Sequence, residues 1–180
     1  IPPGIVTSSY FGYLISYSDV TTIEPKHGYW VKTNAVGKLV LQSSANSPQT
    51  SADRHQRSDF NSLTITDNVG KRQTLYFTER QLPPEKYELP PTPPPGVFDV
   101  RFSSQRMVEF FESASAKEIP IIINSGAYPI NVEWRSFSHK GEASLIINGK
   151  SLSISGNGET SISDSKSDIS LRLSLQPQLD

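Results

Sequence analysis

The chain contains no cysteine, which excludes disulfides, thiolate metal ligands and thiol nucleophiles. Histidine is nearly as scarce. His27, His55 and His139 are the only three in 180 residues, and none lies in a nucleophile motif such as G-x-S-x-G or a metal spacing such as H-E-x-x-H. All three are expected in solvent-exposed loops. Neither sign of charge dominates: 17 Lys and Arg against 18 Asp and Glu leave a net charge of −1, so there is no electrostatic case for nucleic acid or an anionic membrane. Long apolar runs are missing too. Ile119 to Ile123, interrupted by Pro120, is far short of the ~20 residues that span a bilayer, and no membrane insertion is expected. The chain starts at Ile1 without Met or a signal-like segment, the pattern of a processed or excised piece of a longer protein.

Carboxylates offer little more. Glu109 with Glu112, or Glu79, Glu85 and Glu88, could be paired for glycosidic chemistry, yet nothing in the sequence separates them from surface charges. Asp164 and Asp168, near Asn157 and Glu159, offer oxygens to Ca²⁺, but the D-x-[DN]-x-[DN]-G loop is absent and turn chemistry accounts for acidic residues there. The expectation is therefore a chain that is not an enzyme, with no catalytic residue, metal site or cofactor.

What the sequence has is proline, β-branched residues and turns. Glu88 to Gly96 holds five prolines in six positions, Pro90 to Pro95. Such a run favours a polyproline II rod at ~3.1 Å per residue and cannot lie inside a sheet. Short segments rich in Val, Ile, Leu, Tyr and Thr flank it, separated by Gly, Asn, Asp and Ser. The fold class expected is all-β: two β domains joined by a polyproline strut, the second an Ig-like antiparallel β-sandwich. The boundaries are 1–87 for a β-rich N-terminal domain with a long polar loop at 42–58, 88–96 for the connector, and 97–180 for the sandwich.

Within the first part, Tyr29 to Lys32 and Lys38 to Leu41 read as a hairpin around Asn34 to Gly37. Leu63 to Thr66 and Thr74 to Phe77 read as a second hairpin around Asp67-Asn68-Val69-Gly70. Past the prolines, Phe98, Val100 and Phe102 alternate with Asp99, Arg101 and Ser103, the pattern of a strand with one face inside. Ser104 to Lys117 is ambiguous, with a short helix as one reading. Ile130, Val132 and Trp134 share a face, which makes Trp134 a core anchor. Ser144 to Leu175 reads as a four-stranded meander with turns at Asn148-Gly149, Gly156-Asn157-Gly158 and Asp164 to Asp168.

The aromatic cluster Tyr10, Phe11, Tyr13, Tyr17, Tyr29 and Trp30 has two readings. Flat rings suit the apolar side of a pyranose, so Tyr10, Tyr13, Tyr17, Tyr29 and Trp30 are candidate ligand-binding residues. The same rings fill small β cores, and core is the favoured reading for Trp30.

Two passages carry a family resemblance. Phe11-Gly12-Tyr13, Tyr17 and Ile23-Glu24-Pro25-Lys26-His27-Gly28-Tyr29-Trp30-Val31-Lys32 resemble the "L-E-P-G-K-G-Y-W-V-K" segment of large secreted proteins of Bacteroidetes and related bacteria. Leu63 to Asp67, Thr74 to Phe77, Glu88 to Gly96 and Val97 to Phe102 resemble the part that follows, where a hairpin leads through "L-P-P-x-P-P-x-G-x-F-D-V-R-F" into an Ig-like domain. In that family the region precedes a sorting signal of the type IX secretion system. The resemblance implies an extracellular or cell-surface location and a non-catalytic structural or adhesive module. Its partners would be other protein chains, through self-association or parent-protein domains, and surface glycans. Two departures stand out: no sorting motif follows Leu175, and a "G-W-N-L-V-S" strand that precedes the Tyr-Trp segment in the family is missing. If that strand belongs to the first sheet, an edge is left for a strand from another chain. Two further functions follow: a subunit of an extracellular filament or surface layer assembling by edge complementation, and a carbohydrate-binding accessory of a secreted enzyme.

Overall fold

The structure, a computed structural model, describes residues 5–40, 59–80, 82–111, 116–124, 126–137 and 141–175. The polar loop expected at 42–58, with His55, lies outside these residues, as do Glu112 and His139.

The described chain is all-β, with one short 3₁₀ turn, Pro84–Tyr87. β1 (Tyr10–Tyr13), β2 (Tyr17–Val20) and β3 (Tyr29–Trp30) form a small sheet in the order β2-β1-β3. β4 (Asn61–Thr66), β5 (Arg72–Thr78), β7 (Val108–Phe110), β9 (Ile130–Arg135) and β12 (Asn157–Ile162) form a second sheet, ordered β12-β9-β4-β5-β7. The third is β11-β10-β13-β8-β6, built from β6 (Asp99–Phe102), β8 (Lys117–Asn124), β10 (Gly141–Ile147), β11 (Lys150–Ser153) and β13 (Ile169–Leu175). The two five-stranded sheets enclose one core in a sandwich-like arrangement. Leu63, Ile65, Leu75 and Phe77 from one sheet meet Val100, Phe102, Leu145 and Leu171 from the other, all at most 1% exposed.

Local chemistry explains the hairpins. Leu63 and Ile65 alternate with Thr64 and Thr66, and the buried Asp67 closes the β4–β5 turn by accepting the Val69 and Lys71 amides at 3.1 and 2.8 Å. Thr64 and Thr74 hydroxyls meet across that hairpin at 3.0 Å. Between β10 and β11, Asn148 and Gly149 both take positive φ, 51° and 76°, the two-residue turn whose twist matches paired strands.

Four expectations are corrected. First, the proline run does not separate two sets of strands. β4, from the part before it, pairs antiparallel with β9 through Leu63 and Trp134, and β5 pairs in parallel with β7 through Tyr76 and Val108. The hairpin placed in a separate domain 1–87 thus supplies two strands to a sheet shared with the segment 97–180, because its apolar face has no core of its own to cover it. Second, 104–117 holds no helix among its described residues. Met107, Val108, Phe110 and Phe111 are all buried, and hydrogen bonding to β5 outweighs any helical preference. Third, the closing meander is broken: β12 leaves β11 for the other sheet, where it pairs with β9, and β13 returns beside β10. Fourth, the first hairpin is absent among the described residues. β3 pairs only with β1, and Lys38 to Val40 are exposed and outside any strand.

Pro120 sits mid-strand without disrupting β8. Residues 117–120 pair with β13 and residues 121–124 with β6. The residue without an amide donor stands where the strand passes from one partner to the other.

Candidate functional site

Antiparallel pairing puts Phe11 directly opposite Trp30 and Gly12 opposite Tyr29, so Phe11 and Trp30 share one face of the small sheet. Phe11 is 1% exposed, whereas Trp30 is 51% exposed. Trp30 stands on a two-residue edge strand at the rim, where no second layer covers it fully, which is why the expectation of a core tryptophan does not hold there. Its indole lines a groove of about 440 Å³ between β3 and the proline run, with Phe11, Lys32, Leu89, Pro90 and Pro91. At the groove, the Lys32 ammonium and the Glu88 carboxylate are 2.5 Å apart, each about half-exposed.

The proline run forms the opposite wall because it is tied down. Glu88 bridges Arg106, and the Leu89 amide donates to the Gln105 carbonyl at 2.8 Å. The Arg101 guanidinium donates to the Pro90 carbonyl at 2.9 Å. A turn from Pro94 to Val97, with Gly96 at φ 93°, then leads the chain into β6. Leu89 and Pro90 are buried.

The other aromatic candidates are used differently. Tyr17 is buried and meets Tyr13 edge to face at a ring separation of 5.1 Å. The Tyr13 hydroxyl donates to the Phe98 carbonyl at 3.3 Å, and the Tyr29 hydroxyl accepts the Glu24 amide at 2.9 Å, closing the turn before β3. Tyr10 is half-buried on the face away from Trp30. Of the five, only Trp30 lines the groove.

No protein-family model, curated protein or solved structure matches the chain.

The two largest polar surprises are buried charges. Asp99 and Arg101, on the supposedly wet face of β6, are each 1% exposed. Arg101 contacts Asp99 at two points, Nε to Oδ2 at 2.6 Å and Nη2 to Oδ1 at 2.8 Å, and its Nη1 serves both Pro90 and the Gln105 side chain. β6 is therefore covered on both faces. Burial, with the neighbouring Asp99 carboxylate adding to it, pushes the Tyr17 hydroxyl above its usual range, and Arg101 opposes the shift. Tyr13 is raised mainly by burial, then by Tyr17 and Asp99. Gln73 links β5 to this layer, its side-chain amide donating to the Tyr17 carbonyl at 2.7 Å.

Glu109 on β7 is buried as well; it accepts from the Ser104 hydroxyl and lies 3.2 Å from the Lys117 ammonium on β8. It joins the two sandwich sheets by charge. Asp99 and Arg101 escaped the sequence reading because alternation alone marks a charged position as wet, their one signal being opposite charges two residues apart on one strand face. Glu109 escaped because its segment, 104–117, was ambiguous and its carboxylate read as a surface charge.

Among the described residues, no three His, Asp or Glu side chains converge as a metal site. Asp164 accepts the Lys166 amide within its own turn, and Glu159 accepts from Asn131. His27 faces the Pro25 carbonyl at 3.2 Å on an exposed turn. No helix is long and apolar enough to cross a membrane, again among the described residues.

Proposed function

We propose that the chain is a non-catalytic structural or adhesive β module of a bacterial cell-surface or secreted protein, working outside the cell. The observation that carries this reading is the clamping of the proline run: Arg101, itself locked to Asp99, holds the Pro90 carbonyl. A segment that would be a semi-rigid spacer between two domains is instead strapped to one body, which suits a surface module that transmits load. The resemblance of residues 11–32 and 63–102 to exported surface proteins points the same way.

Labelling of intact source cells with a membrane-impermeant amine reagent tests the location. Modified lysines of this chain before lysis are expected; modification only after lysis would reject the reading. A carbohydrate-binding accessory is a second reading, favoured by the half-exposed Trp30 indole beside the Lys32–Glu88 pair. A glycan array with wild type and Trp30→Ala tests it, with binding by wild type alone as the supporting result.

A further inference from the structure

The segment after β3 has one side paired and one side open. The Thr7 amide donates to the Lys32 carbonyl at 2.9 Å, the Asn34 amide to the Ile5 carbonyl at 3.0 Å, and the Lys32 amide to the Ser8 hydroxyl at 2.8 Å. Lys32 and Asn34 thus turn their peptide groups toward residues 5–8. Successive strand residues alternate, so Val31 and Thr33 turn theirs the other way. Those groups have no hydrogen-bond partner among the described residues. Edge strands are commonly guarded by a lysine, whose charge repels an incoming strand. Here Glu88 neutralises that lysine at 2.5 Å. Two of the other outer edges keep charges of their own: β11 begins with Lys150, and β12 carries Glu159.

We infer that this edge pairs with the same edge of a second copy of the chain, antiparallel, about a two-fold axis through Val31. The sequence is self-complementary in that register. Val31 faces Val31 of the second copy and exchanges both backbone hydrogen bonds with it, while Thr33 faces Tyr29. Trp30 faces Lys32 of the second copy, and the reverse, in the closer, non-hydrogen-bonded type of pair. This sets an ammonium beside a half-exposed indole at two places, the geometry of a cation–π contact. The pairing covers Trp30 and the open side of its groove. An isologous contact of this kind closes at two copies and does not propagate into a fibre. The inference goes beyond the proposed extracellular role and holds wherever the chain resides.

Sedimentation equilibrium of the full chain tests it. The patch is small, so dimers are expected to build up between about 10 μM and 1 mM. Val31→Lys and Val31→Glu each put two like charges on the axis and are expected to weaken association at least ~30-fold. An equal mixture of the two variants is expected to restore it. Thr33→Pro, which removes an outward amide while leaving the Thr7 to Lys32 bond, gives the same loss if either charged variant alters the circular dichroism. A wild type that stays monomeric at about 1 mM overturns the inference. So does a Val31→Lys protein that dimerises like wild type, or a mixture that stays monomeric.

Discussion

Arg101 and Asp99, two residues apart on β6, form a two-point ion pair that is 1% exposed on both sides, and the same guanidinium holds the carbonyl of Pro90. One side chain therefore joins the sandwich, the proline strap and the layer beneath the small sheet.

Removing one partner of such a pair leaves a charge in a site with no water to receive it. Arg101→Met is expected to destabilise the chain by about 3–5 kcal/mol. Asp99→Leu with Arg101→Met should recover part of that loss, since no charge is then stranded. Urea unfolding of the wild type and these two variants measures both values; a single variant no worse than the double would refute the stranded-charge account.

Trp134 is half-buried and lies opposite Gly158 on β12. A Cβ at Gly158 would overlap the indole ring. Gly158→Ala is expected to cost about 1–3 kcal/mol through forced repacking, with a changed tryptophan near-ultraviolet signal. The penalty should largely vanish in a Trp134→Ala background, which a double-mutant cycle on thermal unfolding reads directly.

The two tryptophans should differ in energetic weight. Trp134 packs against the core and Trp30 is 51% exposed. Trp134→Ala is expected to cost about 3 kcal/mol and Trp30→Ala no more than about 1. Denaturant titration of both variants checks the ordering.

Tyr17 gives a pH dependence of defined sign. Its hydroxyl is raised above its ordinary 10.0, chiefly by burial and then by Asp99. The folded state therefore holds the proton longer than the unfolded one. Its contribution is complete below the ordinary value and is lost as pH rises through the folded value. Stability should fall on the alkaline side, and less steeply in Tyr17→Phe, with Tyr13 and Tyr128 accounting for part of the remainder. Unfolding midpoints from about pH 8 to 11 measure it; parallel curves for the two proteins would contradict the assignment.

Strands were legible where local chemistry decides them. The alternation at Leu63 to Thr66, the Asn148-Gly149 turn and the apolar face of Ile130, Val132 and Trp134 all mark strands seen in the fold. Pairing was not legible, because nothing in Leu63 says that Trp134, beyond a proline run, is its neighbour. The run itself misled: proline excludes a segment from a sheet without saying whether it hangs free or is strapped to one, and the residue that decides, Arg101, reads as a surface charge. Trp30 was misjudged for a related reason. Its apolar neighbours called for an inside face, but an edge strand of two residues has a rim where a ring shares that face and still meets solvent.

The claim that the strap and both its flanks form one body is tested most directly by unfolding followed at two places. With Trp134→Phe, fluorescence reports on Trp30 in the small sheet; with Trp30→Phe, it reports on Trp134 in the sandwich. Each is compared with the same variant's far-ultraviolet circular dichroism in urea. Within each variant the two curves are expected to coincide in midpoint and slope. A Trp30 transition that is complete before the circular dichroism changes would show a separately folding N-terminal part, and would contradict the single body described above.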